Sequence, residues 1–200
     1  MSRRVFDILA SSAGVVVVVV LVIAGGLLTW GHSFATTNVR NQLAQQQISF
    51  PPQAAFAHPK AGTEITPSMI PSVSKYAGQP LLTGQQAKVY ANDFIAVHLS
   101  EMPYGGVYSK ISAAAQKNKT SVPLKTLEQT SFQGTTLRGL LLEAYGFSVI
   151  GTVMLFGAIA AFLAAILMSV LIGFGVWHAR RTEAEEQVLV PKAKAVPVSS

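Results

Sequence analysis

The chain has 200 residues, half of them hydrophobic and only 12% charged, with a formal net charge of +6 and no cysteine. Soluble domains carry about a quarter charged residues, so the balance argues against an ordinary soluble protein. Missing thiols exclude disulfides and thiolate metal centres. The basic residues are dispersed, without the arginine clusters and interleaved aromatics of a phosphate-tracking groove, so no nucleic-acid partner is expected.

Residues 1–7, with Arg3 and Arg4, are expected to be a cytoplasmic N-terminus, and the first apolar block follows over 8–30, from Ile8 to Trp30. It contains the valine tract Val15 to Val20 and no charge after Asp7. Crossing the hydrocarbon core takes roughly 20 apolar residues in a helix. Lipid offers no partner to backbone amides, so even β-branched residues are driven into a helix there. Trp30 stands where an interfacial aromatic belongs. A signal peptide shares these features, and Ser33-Phe34-Ala35 offers small residues to a peptidase. The apolar run nevertheless exceeds the roughly 7–15 residues of a signal core, which predicts an uncleaved anchor.

Residues 31–146 have the length of a single domain and a mainly helical pattern. Thr37 to Ile48 is rich in straight-chain residues and predicts a continuation of the first helix, ended by Phe50-Pro51-Pro52. Pro59 to Pro80 is punctuated by Thr66-Pro67 and Ile70-Pro71, which favour extended backbone or short helical turns. Thr83 with Gln86 fits a capping box, followed by one face of Ala87, Tyr90, Ala91, Phe94, Ile95 and His98 that should be buried. Pro103 and Gly105-Gly106 break the chain, and a short helix is expected over Val107 to Ala115. Asn118 to Ser121 reads as a loop. Pro123 suits the first turn of a helix ending near Gly134, after which Thr135 or Thr136 would cap another helix running into the second span. Helices leaving both spans would couple this domain rigidly to the membrane pair.

The second apolar block covers 147–177, with Tyr145 and Phe147 at one end and Trp177 at the other. It is longer than one membrane thickness, so tilt must absorb the excess. Arg180 and Arg181 follow it, as Arg3 and Arg4 precede the first, and the positive-inside rule puts both ends in the cytoplasm. Long loops cross largely regardless of charge, so the lysines of the middle segment do not oppose this. Residues 178–200 mix Glu, Val, Pro and Lys without periodicity and predict a disordered cytoplasmic tail. The fold class expected is therefore mainly α: an integral membrane protein with two transmembrane helices flanking a predominantly helical extracytoplasmic domain.

Gly157, Ala161, Ala165, Ser169 and Gly173 place small residues at unbroken four-residue spacing, which lets another helix come close. Each step advances about 40° around the helix, so the groove winds and suits a crossing partner. Ala10, Gly14 and Ala24-Gly25-Gly26 on the first span are a possible mate. A hairpin within the chain, a homo-oligomer and docking to another membrane protein all fit, and membrane lipids cover the remainder.

Chemistry-bearing patterns are sparse. His32, His58, His98 and His178 lack the spacing of a metal pair, and His98 with Glu101 reads as a structural pair on a helix end. No nucleophile elbow, phosphate loop or dinucleotide fingerprint occurs. No ionisable residue falls in the middle of either span, which disfavours autonomous transport. Tyr90, Phe94, Tyr104 and Tyr108 are candidate ligand-lining aromatics, with burial at a helix junction as the plainer reading. No catalytic residue, cofactor or metal ligand is assigned.

The stretches Ser2 to Asp7, Asn38 to Pro52, Ala57 to Pro67, His98 to Tyr108 and Phe132 to Leu140 together resemble an uncharacterised family of actinobacterial two-span membrane proteins. Some of its members carry the label of aromatic ring-opening dioxygenase. That chemistry requires iron held by two histidines and a carboxylate on one face, and the four scattered histidines do not supply such a set by spacing. The resemblance implies two-span topology and a bacterial envelope location, and no reaction. The functional expectation is a non-enzymatic accessory or scaffolding subunit of a cell-envelope complex. An extracytoplasmic module for lipid or a small apolar ligand is the alternative, and a membrane-bound enzyme ranks third.

Overall fold

The structure, a computed structural model, describes residues 3–181. Of the tail expected over 178–200, residues 178–181 are instead the last turn of the second long helix, and the rest lies outside the described residues, as do residues 1 and 2. Helix dominates. Among the described residues the only β feature is an isolated antiparallel bridge between Ser49 and Pro80. The helices are α1 (Arg3–Gln46), α2 (Ile70–Val73), α3 (Gly84–Val89), α4 (Ala96–Glu101), α5 (Tyr108–Lys117) and α6 (Val122–Arg181). The chain divides into two compact units, one comprising Met1–Trp30 with Met154–Ser200 and the other Gly31–Val153. Both long helices contribute to each.

In the first unit α1 and α6 form an antiparallel hairpin. The less exposed residues of α1 include Asp7, Ser11, Gly14, Val18, Leu21, Gly25 and Leu28, alternating steps of four and three. On α6 they include Ala158, Ala161, Ala165, Met168, Ile172, Gly175 and Ala179, with the same alternation. This is the heptad seam of left-handed helix pairing. Glycines set the spacing. A Cβ on Gly14 would stand 2.8 Å from Ile172, one on Gly25 2.9 Å from Phe162, and one on Gly175 2.9 Å from Ser11 Oγ. His178 Nδ1 lies 3.1 Å from Asp7 Oδ2 and joins the open end of the hairpin. Away from the seam, large side chains such as Val16, Leu27, Leu163 and Leu167 are exposed.

The second unit has a conventional core. Val39 and Leu43 of α1 and Leu141 of α6 pack with Phe50, Phe56, Ile65, Met69, Val73, Leu81, Ala87, Val89, Ala91 and Ile95. α1 ends where Gln47 adopts a left-handed conformation at φ 52°, slightly before the expected Ile48. The chain then turns so that Phe50 N donates to Gln79 O at 2.9 Å and Leu81 N to Ile48 O at 2.9 Å. This clasp closes the Pro-punctuated segment, which contains 3-10 turns at Pro67–Met69 and Ser74–Tyr76 flanking α2.

Thr83 caps α3 as its sequence requires. Gln86 N donates to Thr83 Oγ1 at 3.2 Å, and Thr83 N donates to Gln86 Oε1 at 3.0 Å. A π-helical segment, Tyr90–Ile95, links α3 to α4. On the expected inward face Ala87, Ala91 and Ile95 are buried, while Tyr90, Phe94 and His98 are half-buried along its edge.

An expected helix boundary is also absent. The helix begun at Pro123 does not end near Gly134, and neither Thr135 nor Thr136 is a cap: α6 is continuous through all three. An interior glycine costs a helix about 1 kcal/mol relative to alanine, too little to break one held by packing. Gly134 has a packing reason of its own, because a Cβ there would stand 2.8 Å from Leu99 Cδ2.

The turn after α4 is tightly specified. Tyr104, Gly105 and Gly106 all have positive φ, at 60°, 65° and 66°. A Cβ on Gly106 would collide with the Leu99 carbonyl, and the fully buried Ser131 hydroxyl donates to Gly106 O at 2.7 Å. Gly106→Ala should therefore cost roughly 2–4 kcal/mol, combining left-handed strain with overpacking. Thr83→Ala, which removes only the cap, should cost about 1 kcal/mol. Thermal unfolding of the two variants beside the parent checks both size and order.

Candidate functional site: the small-residue stripe and the aromatic row

The five small residues of α6 do not share one surface. Gly157 faces Leu28, where an added Cβ would come within 3.2 Å of its Cδ1. Ala161 is half-buried, and Ala165 is 4% exposed within the hairpin seam. Ser169 and Gly173 are exposed, and a Cβ on Gly173 would meet nothing within 4 Å. The reason is the 40° drift per four-residue step: a stripe at that spacing leaves a heptad seam within a few turns. On α1, Gly14 and Gly25 are the mates. Ala24 is half-buried, whereas Ala10 and Gly26 are exposed.

Where the stripe leaves the seam, a shallow apolar groove opens. Val18 and Val22 of α1 and Phe162, Ala165, Ile166, Ser169 and Val170 of α6 line about 440 Å³. The Ser169 hydroxyl donates to Ala165 O at 2.8 Å, so its hydrogen is already committed within the helix. The groove therefore offers shape more than polarity.

In the second unit five rings form a row. Tyr76 and Phe50 have centroids 5.1 Å apart, Phe50 and Tyr90 5.3 Å, Tyr90 and Phe94 4.7 Å, and Phe94 and His98 4.6 Å. Edge-on and tilted pairs of this kind stabilise beyond simple area burial. His98 Nδ1 donates to Phe94 O at 2.9 Å, which ties its ring to the row. Tyr104 and Tyr108 stand elsewhere: Tyr104 is exposed on its left-handed turn, and Tyr108 lies against Phe132 with centroids 5.6 Å apart. Phe50 and Tyr76 belong to the row although their sequence context, beside prolines and a lysine, gave no periodic signal.

A separate cleft of about 300 Å³ lies between the two long helices of this unit. Val39, Leu43, Leu137, Leu140, Leu141, Ala144 and Phe147 form its apolar lining, and Asn38, Gln42, Gln46 and Glu143 its polar lining. Gln42 Nε2 donates to Asn38 Oδ1 at 3.2 Å, so part of this polar edge is satisfied internally. Among the described residues no three His, Asp or Glu side chains converge to hold a metal. Arg138 Nη2 donates to Asn92 Oδ1 at 3.0 Å and fixes α6 to the π-helical segment.

No family model, curated protein or solved structure matches the chain.

Burial, followed by the negative charge of Glu64, holds the Tyr90 phenol above its ordinary value of 10.0. The unfolded chain loses this proton first as pH rises, so the neutral phenol favours the folded state below about pH 10 and that contribution is lost above it. The melting temperature should fall as pH is raised through this range. Tyr90→Phe keeps the ring and should reduce the slope, which comparison of the two melting curves against pH will show.

Proposed function

We propose that this chain is a two-span membrane protein acting as a non-enzymatic accessory or scaffolding subunit of a bacterial cell-envelope complex. Its apolar helices are lipid-embedded, both ends are cytoplasmic, and the second unit lies on the outer face. One observation carries the membrane reading: in each long helix only 11% of the most apolar window is buried within the protein. A core helix of a soluble protein would be mostly buried, and so much bare aliphatic surface in water would aggregate. Anchoring features agree with it. Arg181 stacks on Trp177 at 4.1 Å, and Lys88 Nζ lies 4.9 Å from the Tyr145 ring centre, pairings suited to headgroup regions.

The division of the small residues supports the scaffolding reading. Gly157, Ala161 and Ala165 serve the hairpin, whereas Ser169 and Gly173 give an outward face against which a helix of another membrane protein or a second copy fits. Ser169→Leu with Gly173→Leu should leave the protein folded and abolish association with its membrane partners in gentle detergent. Ala165→Leu should instead open the hairpin and lower the melting temperature, at a cost of about 1–3 kcal/mol. Unchanged association in the double variant would remove the outward face from consideration.

The cleft between the long helices favours a second reading, in which the outer unit holds a lipid or another small apolar ligand. Native mass spectrometry of the purified protein that finds no retained lipid counts against it.

Topology has a clean test because the chain lacks cysteine. In intact cells Lys119→Cys should react with a membrane-impermeant maleimide. Labelling that appears only after lysis would reverse the orientation.

A further inference from the structure

We infer that the cleft between α1 and α6 in the second unit takes the uncharged, hydroxyl-bearing head group of a glycosyl lipid. The inference rests on the reading of this cleft as a site for lipid or another small apolar ligand, and adds the class of head group it selects.

The polar lining is one group. A Cβ added to Gly151 would stand 3.2 Å from Ala35 Cβ, which fixes the register of the two antiparallel helices. Four residues on along α1 and four back along α6, Phe147 comes level with Val39. One further step brings Glu143 level with Leu43, between Gln42 and Gln46. All of these residues line the same cavity of about 300 Å³. That volume lies at the lower end of small-molecule sites and suits a single head group. Leu140 and Phe147, 58% and 47% exposed, supply an apolar side, and Phe147 opens the apolar block along which alkyl chains would run.

Charge selects the head group. No Lys, Arg or His lines the cleft, and Arg138, near it in sequence, is turned to Asn92. Among the described residues the Glu143 carboxylate has no ion-pair partner and the Gln46 amide no hydrogen-bond partner. A phosphate would meet this carboxylate and no cation, which disfavours anionic and zwitterionic phospholipids alike. An ammonium group only donates and would leave the amide N–H groups unmatched. Hydroxyl groups match both kinds of partner. They can donate to Glu143, which only accepts, and exchange bonds with Gln42 and Gln46, which do both. Gln42 gives one N–H to Asn38 and keeps its carbonyl oxygen for the ligand. A sugar ring also has an apolar C–H face to set against Leu140.

The test uses the full chain, purified without glycoside detergent and placed in nanodiscs with equal amounts of three lipids of identical acyl chains: monoglucosyl diacylglycerol, phosphatidylglycerol and phosphatidylethanolamine. Native mass spectrometry then counts the lipids retained on the released protein. The glucosyl lipid should be retained in preference. Glu143→Ala, at an exposed position, should keep the melting temperature and weaken that retention about tenfold, the scale of one hydrogen bond to a charged group. Glu143→Lys should move the preference to phosphatidylglycerol. Retention of no lipid at all would overturn the lipid reading of the cleft, and this inference with it. Retention without head-group preference, a parent that prefers phosphatidylglycerol, or a preference untouched by Glu143→Ala would leave lipid binding standing and overturn the inference alone.

Discussion

Close approach of two helices governs the apolar unit. On the proposed membrane placement the surrounding lipid is as apolar as a leucine side chain, so the two helices gain little from hiding aliphatic groups from it and must instead gain from contact between well-fitted surfaces. That requirement explains why glycine and alanine recur along the seam at Gly14, Gly25, Ala158, Ala165, Gly175 and Ala179. Large residues point the other way. The valine tract shows the division well: Val18 is half-buried in the seam while its neighbours Val17 and Val19 are exposed. Glycine costs helix stability in water, but where backbone amides have no competing partner that cost shrinks and the gain in proximity dominates.

The other unit obeys different physics. It buries Met69, Val73, Leu81 and Ile111 completely and closes its irregular stretches with main-chain bonds. Its proline-punctuated segment could not supply regular ladders, so it relies on 3-10 turns and the short clasp joining Ile48 and Phe50 to Gln79 and Leu81. Gly84 shows how closely the helices meet: a Cβ there would collide with Ser148 on α6. One unit thus relies on close helix approach and the other on burial.

How much of this was legible depends on the range of the interaction. The apolar blocks, the capping box of Thr83 and Gln86, and the break at Pro103 are local, and each is written in a few neighbouring residues. The glycine at 134 misled because local propensity was outweighed by contact with Leu99, distant in sequence. The aromatic row was half visible: Tyr90, Phe94 and His98 repeat along one helix, but Phe50 and Tyr76 reach it only through the clasp. The π-helical segment left no signal, since it shifts register without altering residue type. Likewise, the stripe on α6 was visible as a pattern, but its four-residue period could not reveal which members the hairpin would use.

That last division carries the functional argument. A heptad seam admits a residue every three or four positions in alternation, whereas a strict four-residue stripe rotates steadily away from it. The stripe therefore leaves the hairpin seam between Ala165, which is buried, and Ser169, which is exposed. Small residues beyond that point do nothing for the hairpin, since Gly173 meets no neighbour. On the proposed membrane placement leucine there would meet lipid equally well and strengthen the helix, so glycine suits the approach of a second backbone. The groove lined by Val18, Phe162 and Ile166 is where that approach would begin, because it adjoins the position at which the stripe turns outward.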